Sequence, residues 1–428
     1  MPWTETQTVD ERLKFVAACI EDEETMAHLC RHFGISRKTG YKWLERYRDG
    51  GPGKLADGPR APHHHPNQVE AKIVEALLGL RDTHPTWGPK KLSTLLSRKQ
   101  PVLEMPARST IALLLKRHGR VVDRKRRRRI PPQTAPFASC DAPNALWCVD
   151  FKGNFVTGDQ TCYPLTITDA DSRYLLCCQG LLETGFQHVR PIFETIFRQH
   201  GLPVAIRSDN GPPFATRTAG GLSKLSIWWI RLGILPDRID PGKPQQNGRH
   251  ERMHLTLKNE TANPPASTFG RQQVRFDDFQ KEYNELRPHE ALDMQTPGSR
   301  YIASPRPYPS RLAEVEYPDD WLLRRVCGCG VFHWHHQKVF ISETLRGQTI
   351  ALQAIDDRYW RTRFATVPLG VFDSWKRRML TSAQQRRLER KRAAQGQPPA
   401  IAPLVKPPSA ALQEASPAKE KVSPMCLD

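Results

Sequence analysis

Apolar and polar positions change rhythm several times along the chain, and each change predicts a different kind of element. Within residues 9–50, Met26, Leu29, Cys30 and Phe33 share one helical face and Gly34 closes that helix. Behind Ser36, an N-cap candidate, Thr39, Gly40, Trp43, Leu44 and Tyr47 recur at helical spacing. Helix, tight turn, helix is the pattern of a helix-turn-helix. Its second helix would offer Arg37, Lys38, Tyr41 and Lys42 to a major groove. A helical hairpin with a charged outer face fits the same spacing. Residues 68–119 repeat the style in the runs VEAKIVEALLGLRDTH, WGPKKLSTLLSRK and PARSTIALLLKRHG, a second helical DNA-binding candidate.

From 141 to 302 strand and helix patterns alternate. ALWCVDFKGNFV, CYPLTITDAD and RYLLCCQGLL read as three strands, HVRPIFETIFRQHG as an amphipathic helix, and PVAIRSDNG as a strand ending in a turn. A helical stretch near Trp228 and a loop opening a helix, DPGKPQQNGRHERMHLTLKNE, follow, which makes an α/β layer architecture. Short strands return over 311–374, predicting a small β-barrel or sandwich. The basic, then Pro/Ala/Lys-rich residues 375–428 predict a largely disordered tail. The fold class is therefore multidomain: all-α helix-turn-helix domains, an α/β core, a small C-terminal β-barrel and a disordered basic tail.

Charge sharpens this picture. The 428 residues carry 64 Lys and Arg against 45 Asp and Glu, a formal charge of +19, the electrostatic footprint of a nucleic-acid binder. Much of the excess sits in a linker at 120–140, where Arg124, Lys125, Arg126 and Arg127 lead a basic run followed by prolines. Such a segment would track DNA phosphates; a nuclear localisation signal has the same composition. No run is long and apolar enough to span a bilayer and no apolar signal core opens the chain, so a soluble cytoplasmic protein is expected. The ten cysteines show no disulfide framework. Cys327, Cys329, His333, His335 and His336 could be assembled into a zinc site, but strand alternation explains that segment more simply.

Three acids stand out by position. Asp150 interrupts an apolar strand, where a carboxylate is costly unless compensated. Asp209 ends a strand just before Asn210 and Gly211, and Glu251 opens the helix after PGKPQQNG. Strand middle, strand end and helix start can converge at one sheet edge. Clustered carboxylates repel unless divalent cations lie between them, and two such ions can activate an attacking oxygen and stabilise a leaving one at a phosphodiester. Oxygen donors suit Mg2+ or Mn2+. Lys258, seven positions beyond Glu251, falls on nearly the same helix face and is placed to hold a DNA phosphate. Glu260 is the alternative third carboxylate. Asp169 and Asp171 read as turn residues.

The phrases LWCVDFKG, RSDNGPPF, PGKPQQNGRHERMHLTLK and YNELRPHEALDMQTPGSRY, in that order, resemble the catalytic core of the retroviral-integrase superfamily, in particular DDE-type transposases of bacterial insertion sequences. HPTWGPKKL and the flanking domains extend the likeness over most of residues 10–375. The resemblance implies an RNase H-like core in which Asp150, Asp209 and Glu251 hold two Mg2+ or Mn2+ ions and Lys258 contacts the DNA end. It implies a transposase that binds double-stranded DNA at terminal inverted repeats, cleaves it and joins it to target DNA, as a homo-oligomer on paired ends. The 42 positions between Asp209 and Glu251 exceed the usual spacing, and the extra residues are expected around Thr218 to Trp229. Two other readings stay open: a non-catalytic DNA-binding regulator derived from such an enzyme, and an RNase H-type nuclease without strand transfer.

Overall fold

The computed structural model describes residues 8–58, 68–121, 141–216, 218–240 and 244–400, and the chain divides into two units between Glu70 and Ala71. In the first, helices α1 (Thr8–Glu21), α2 (Met26–His32) and α3 (Arg37–Gly50) pack around Phe15, Val16, Leu29, Cys30, Trp43, Leu44 and Leu55. Gly34 takes φ +64° in the turn. The Ser36 hydroxyl accepts from the Thr39 amide at 3.2 Å and caps α3. Gly40 lets α3 approach its neighbours, because a Cβ there would lie 2.6 Å from Cys30 Sγ and 2.9 Å from Phe15 Cζ.

The second unit begins with α4 (Ala71–Thr83), α5 (Pro89–Lys99) and α6 (Arg108–Arg117). Buried Trp87, stacked on His84 with ring centroids 4.1 Å apart, forms the corner between α4 and α5. Next come β1 (Leu146–Phe151), β2 (Phe155–Thr157), β3 (Gln160–Asp169), β4 (Leu175–Leu181), α7 (Phe186–His200), β5 (Ala205–Ser208), α8 (Lys224–Arg231), β6 (Leu235–Arg238), α9 (Gly248–Thr261) and α10 (Phe269–Lys281). The strands line up as β4-β3-β1-β5-β6, with β2 pairing β3 beyond β1. β1 runs antiparallel to β3 and parallel to β5. The run expected as one first strand breaks at 152–154, where Gly153 takes φ +80°.

Strand alternation divides the core. Trp147 and Val149 face α7 and α8, meeting Val189, Phe193, Phe197 and Trp229. Cys162, Leu175 and Cys178 meet Met253, Leu257, Phe276 and Phe279 of α9 and α10. Side chains of α10 cover the open edge of β4: Gln273 accepts from the Gly180 amide and donates to Cys178 O, and Gln280 donates to Leu175 O.

The extra residues between Asp209 and Glu251 form a bridged turn, Ala215 to Leu222, and then α8. This helix is apolar on both sides. Trp228 and Trp229 join the core, while Leu222, Ile227 and Ile230 join the apolar centre of the C-terminal β-domain. That domain comprises β7 (Leu322–Arg325), β8 (Val331–Trp334), β9 (Gln337–Phe340), β10 (Thr349–Ala354), β11 (Tyr359–Phe364), β12 (Val367–Asp373) and β13 (Arg378–Met379). The expected small β-barrel is met in part, by an open five-stranded sheet, β13-β12-β11-β10-β7, with the β8-β9 hairpin separate. Leu222, Ile227 and Ile230 add apolar cover to its core without any further strand. The expected disordered tail also needs correction, since α11 (Ser382–Ala394) begins in a Thr381–Gln384 capping box and Glu389 accepts from the Ala400 amide. Residues 401–428 lie outside the described residues. Among the described residues no helix is long and apolar enough to cross a membrane.

The close approach at Gly40 makes a direct test of the first unit. Gly40→Val should destabilise it by roughly 1–3 kcal/mol through overpacking, seen in calorimetry of the full chain as an earlier transition for that unit alone. An unchanged profile would show that α3 does not pack this closely.

Candidate active site

Asp150 lies on β1 opposite Thr166 of β3, on the face of the sheet that meets α9. Asp209 follows the end of β5, the parallel neighbour of β1, and its Oδ1 accepts from the Gly211 amide at 3.2 Å. Glu251 is exposed in the first turn of α9. Asp209 and Glu251 are both within electrostatic reach of Asp150. Burial first, and then the charges of Asp209 and Glu251, push the Asp150 carboxyl up to about 7. A carboxylate held so reluctantly in its charged form is one that a cation would stabilise. All three donors are carboxylate oxygens, which fit Mg2+ or Mn2+. Among the described residues no three His, Cys, Asp or Glu side chains stand close enough to enclose an ion.

Behind Asp150 sits a buried polar network. Thr166 Oγ1 lies 2.7 Å from His250 Nε2, 2.6 Å from His254 Nε2 and 3.1 Å from Asp150 O, and Thr168 Oγ1 lies 2.8 Å from His250 Nδ1. A carbonyl only accepts, so the Thr166 hydroxyl donates to Asp150 O. Both imidazoles then donate Nε2–H to Thr166, and Thr168 donates to His250 Nδ1. Burial lowers His250 to about 3 and His254 to about 2, so both are neutral. His254 Nδ1 is 3.8 Å from Asp150 Oδ2. With a neutral ring whose proton is on Nε2 this contact is no ion pair, and a lone pair faces the carboxyl group.

Residues 141–244 and 232–297 match the Integrase core domain family, residues 11–63 a Helix-turn-helix domain and residues 39–115 a Homeodomain-like domain. The uncharacterized 31.7 kDa protein of insertion element IS407 from Burkholderia multivorans is 26% identical over 57% of this chain and 84% of its own length. The uncharacterized 39.2 kDa protein of insertion element IS476 from Xanthomonas euvesicatoria is 24% identical over 56% of this chain and 65% of its own. A solved HTLV-2 integrase catalytic core domain, in complex with magnesium, aligns with 38% of this chain and 99% of its own at 15% identity and a TM-score of 0.30.

The chain carries an integrase core.

With the integrase core come DNA-binding helix-turn-helix segments and kinship to insertion-element proteins. Arg37, Lys38, Tyr41 and Lys42 all lie exposed on the first turns of α3, opposite buried Trp43 and Leu44. Lys258 is exposed two turns along α9 from Glu251. Arg124, Lys125, Arg126 and Arg127 lie outside the described residues. Glu260 is taken up elsewhere: it pairs with buried Arg287 and accepts from the Thr86 hydroxyl. Asp169 is a fastener, accepting from the Asn144 amide and from both the amide and hydroxyl of Ser172.

His250 and His254 were not singled out in the sequence, although two histidines four apart around Glu251 must share a helix face. Their role can be tested through their shared partner. Thr166→Val keeps the shape but removes the acceptor of two buried N–H groups, at about 1–3 kcal/mol each. Denaturant unfolding should show that loss, and Thr166→Ser should recover most of it. If Thr166→Val were as stable as the parent, the network would not hold α9 in place.

Proposed function

We propose that the chain is a DDE-type transposase, binding the ends of its mobile element and catalysing metal-dependent phosphodiester cleavage and strand transfer into target DNA. The observation that carries this reading is the electrostatic coupling of Asp150 to Asp209 and Glu251 at one edge of an integrase core. The helix-turn-helix of α3 supplies sequence reading through Arg37, Lys38, Tyr41 and Lys42. Phosphate contacts from the 124–127 run add affinity without sequence information.

Within the core, Asp150, Asp209 and Glu251 would hold two divalent ions. Such ions activate the attacking oxygen and stabilise the leaving oxygen of an in-line displacement. The protein's own share is placement. β1 and the turn that ends β5 would fix two carboxylates side by side, and the Thr166 network would register α9 so that Glu251 faces them. Lys258, on nearly the same helix face as Glu251, holds a phosphate of the DNA end. Two element ends must be handled together, so the working form is a homo-oligomer on DNA.

Asp150→Asn, Asp209→Asn and Glu251→Gln each remove charge and keep shape. Each should lower cleavage and joining of a labelled element end by about three orders of magnitude or more, with far from additive combinations, while duplex binding persists. Activity surviving in Glu251→Gln but lost in Glu260→Gln would reassign the third carboxylate. Full activity in all three would overturn the reading.

A further inference from the structure

A second charged site lies on the other flank of α9. The N-terminal end of α5, the outer side of α9 and the segment around Arg287 enclose a pocket of about 380 Å³. Lys90, Lys91, Arg252 and Arg287 line it, against two carboxylates, Glu260 and Glu290. Both carboxylates are committed, Glu260 to Arg287 and Glu290 to Lys90. Lys91 and Arg252 have neither a hydrogen bond nor an ion pair from their side chains among the described residues.

We propose that this pocket grips a backbone phosphate of the DNA strand that the core's carboxylates act on, with Lys91 and Arg252 as its two cations. The proposal rests on the reading of the chain as a DNA transposase and adds a contact to it. Four observations support it. Lys91 is half-buried against the Trp87 ring at 5.8 Å, and a cation withdrawn from water without a partner is costly. Burial, and then the Arg287 charge, lower its pKa to about 8 although Glu260 and Glu282 pull the other way, a strain that a further anion would relieve. Arg287, only 4% exposed, keeps a buried Nε with no acceptor. Helix α5 starts at Pro89 behind Gly88, which offers no side-chain cap, and this positive end lines the same pocket.

The helix geometry points to DNA as the source of the phosphate. At about 100° per residue, Arg252 stands a quarter-turn round from Glu251 and Thr256 slightly further. Arg252 and Thr256 both line the pocket. A helix with its side chains is about 10–12 Å across, so a strand lying over α9 passes the acids on one flank and the pocket on the other. The pocket lies between the second helical block and the core, and a phosphate held there would tie both to the same strand.

The test uses the full chain, a mixed-sequence DNA duplex and inorganic phosphate as probes. Lys91, with its lowered pKa, should be acetylated by an activated ester at pH 8 faster than ordinary lysines. Duplex should slow that labelling several-fold by mass spectrometry, while inorganic phosphate at the same phosphate concentration should not. Lys91→Gln and Arg252→Gln should each flatten the slope of log K against log salt by about 0.9. Lys91→Arg should restore the slope, which separates charge from folding. Protection by inorganic phosphate as strong as by duplex would make this a free-anion site and overturn the proposal. Duplex that binds without protecting Lys91 would overturn it too, leaving the transposase reading standing. Failure of duplex to bind at all would sink both.

Discussion

The buried carboxyl of Asp150 is the constraint on which the rest of the core depends. β1 is a core strand with apolar residues on both faces, and at Asp150 it gives up an apolar position next to α9. Two further acids push on that group, and the His254 imidazole beside it is too deeply buried to carry charge. A protein built only for stability would place a leucine there. The Phe151 amide and the Lys152 charge favour the carboxylate but offset burial and the two acids only in part. Thr166, His250 and His254 bond among themselves, and Arg207 spends its guanidinium on Asp237. The positive charge still unmet is what would make this edge a metal site.

Placing Glu251 against that edge requires α9 to be held at both ends. At its N-terminal end the two histidines lock it to β3. At its C-terminal end Glu260 joins Arg287, which also pairs with Glu282, and Arg287 lies 5.2 Å over the ring of Trp87. The phrase YNELRPHEALDM is therefore a strap: Asn284 bonds the amide and carbonyl of Leu175, and Arg287 fastens α9. On the far side, α8 spends both faces on packing, one in the core and one in the β-domain. The residues before Glu251 thus bury apolar surface shared by two modules.

What could be read from the residues follows from how local each signal is. Asp150 stood out as a charge among apolar alternation, although a cap or turn role is the ordinary explanation for any single acid, and Ser36 was legible because a cap acts within one turn. The strand β6 was missed. Its four residues include Pro236 and Asp237, poor strand formers tolerated because it lies at the sheet's edge. Helix α11 was hidden by its net charge, although Thr381 and Gln384 spelled a capping box. Barrel closure depends on which strand ends meet, and no strand pattern encodes that α8 will supply apolar residues to the same core. The pocket at Lys91 draws on three segments far apart in sequence, so only folding reveals it.

The central claim is that the carboxylates await a cation, and thermal unfolding against pH tests it most directly. Folded Asp150 keeps its proton to about pH 7, whereas an unfolded aspartate keeps it only to about pH 4. Between those values the folded, metal-free protein binds more protons, so this group's contribution to stability is present at low pH and is lost as pH rises to about 7. Relative to Asp150→Asn, the parent should lose stability across that window, and Mg2+ or Mn2+ should restore it at pH 8 in the parent alone. Identical pH profiles, or equal stabilisation of both proteins by the cation, would contradict the account.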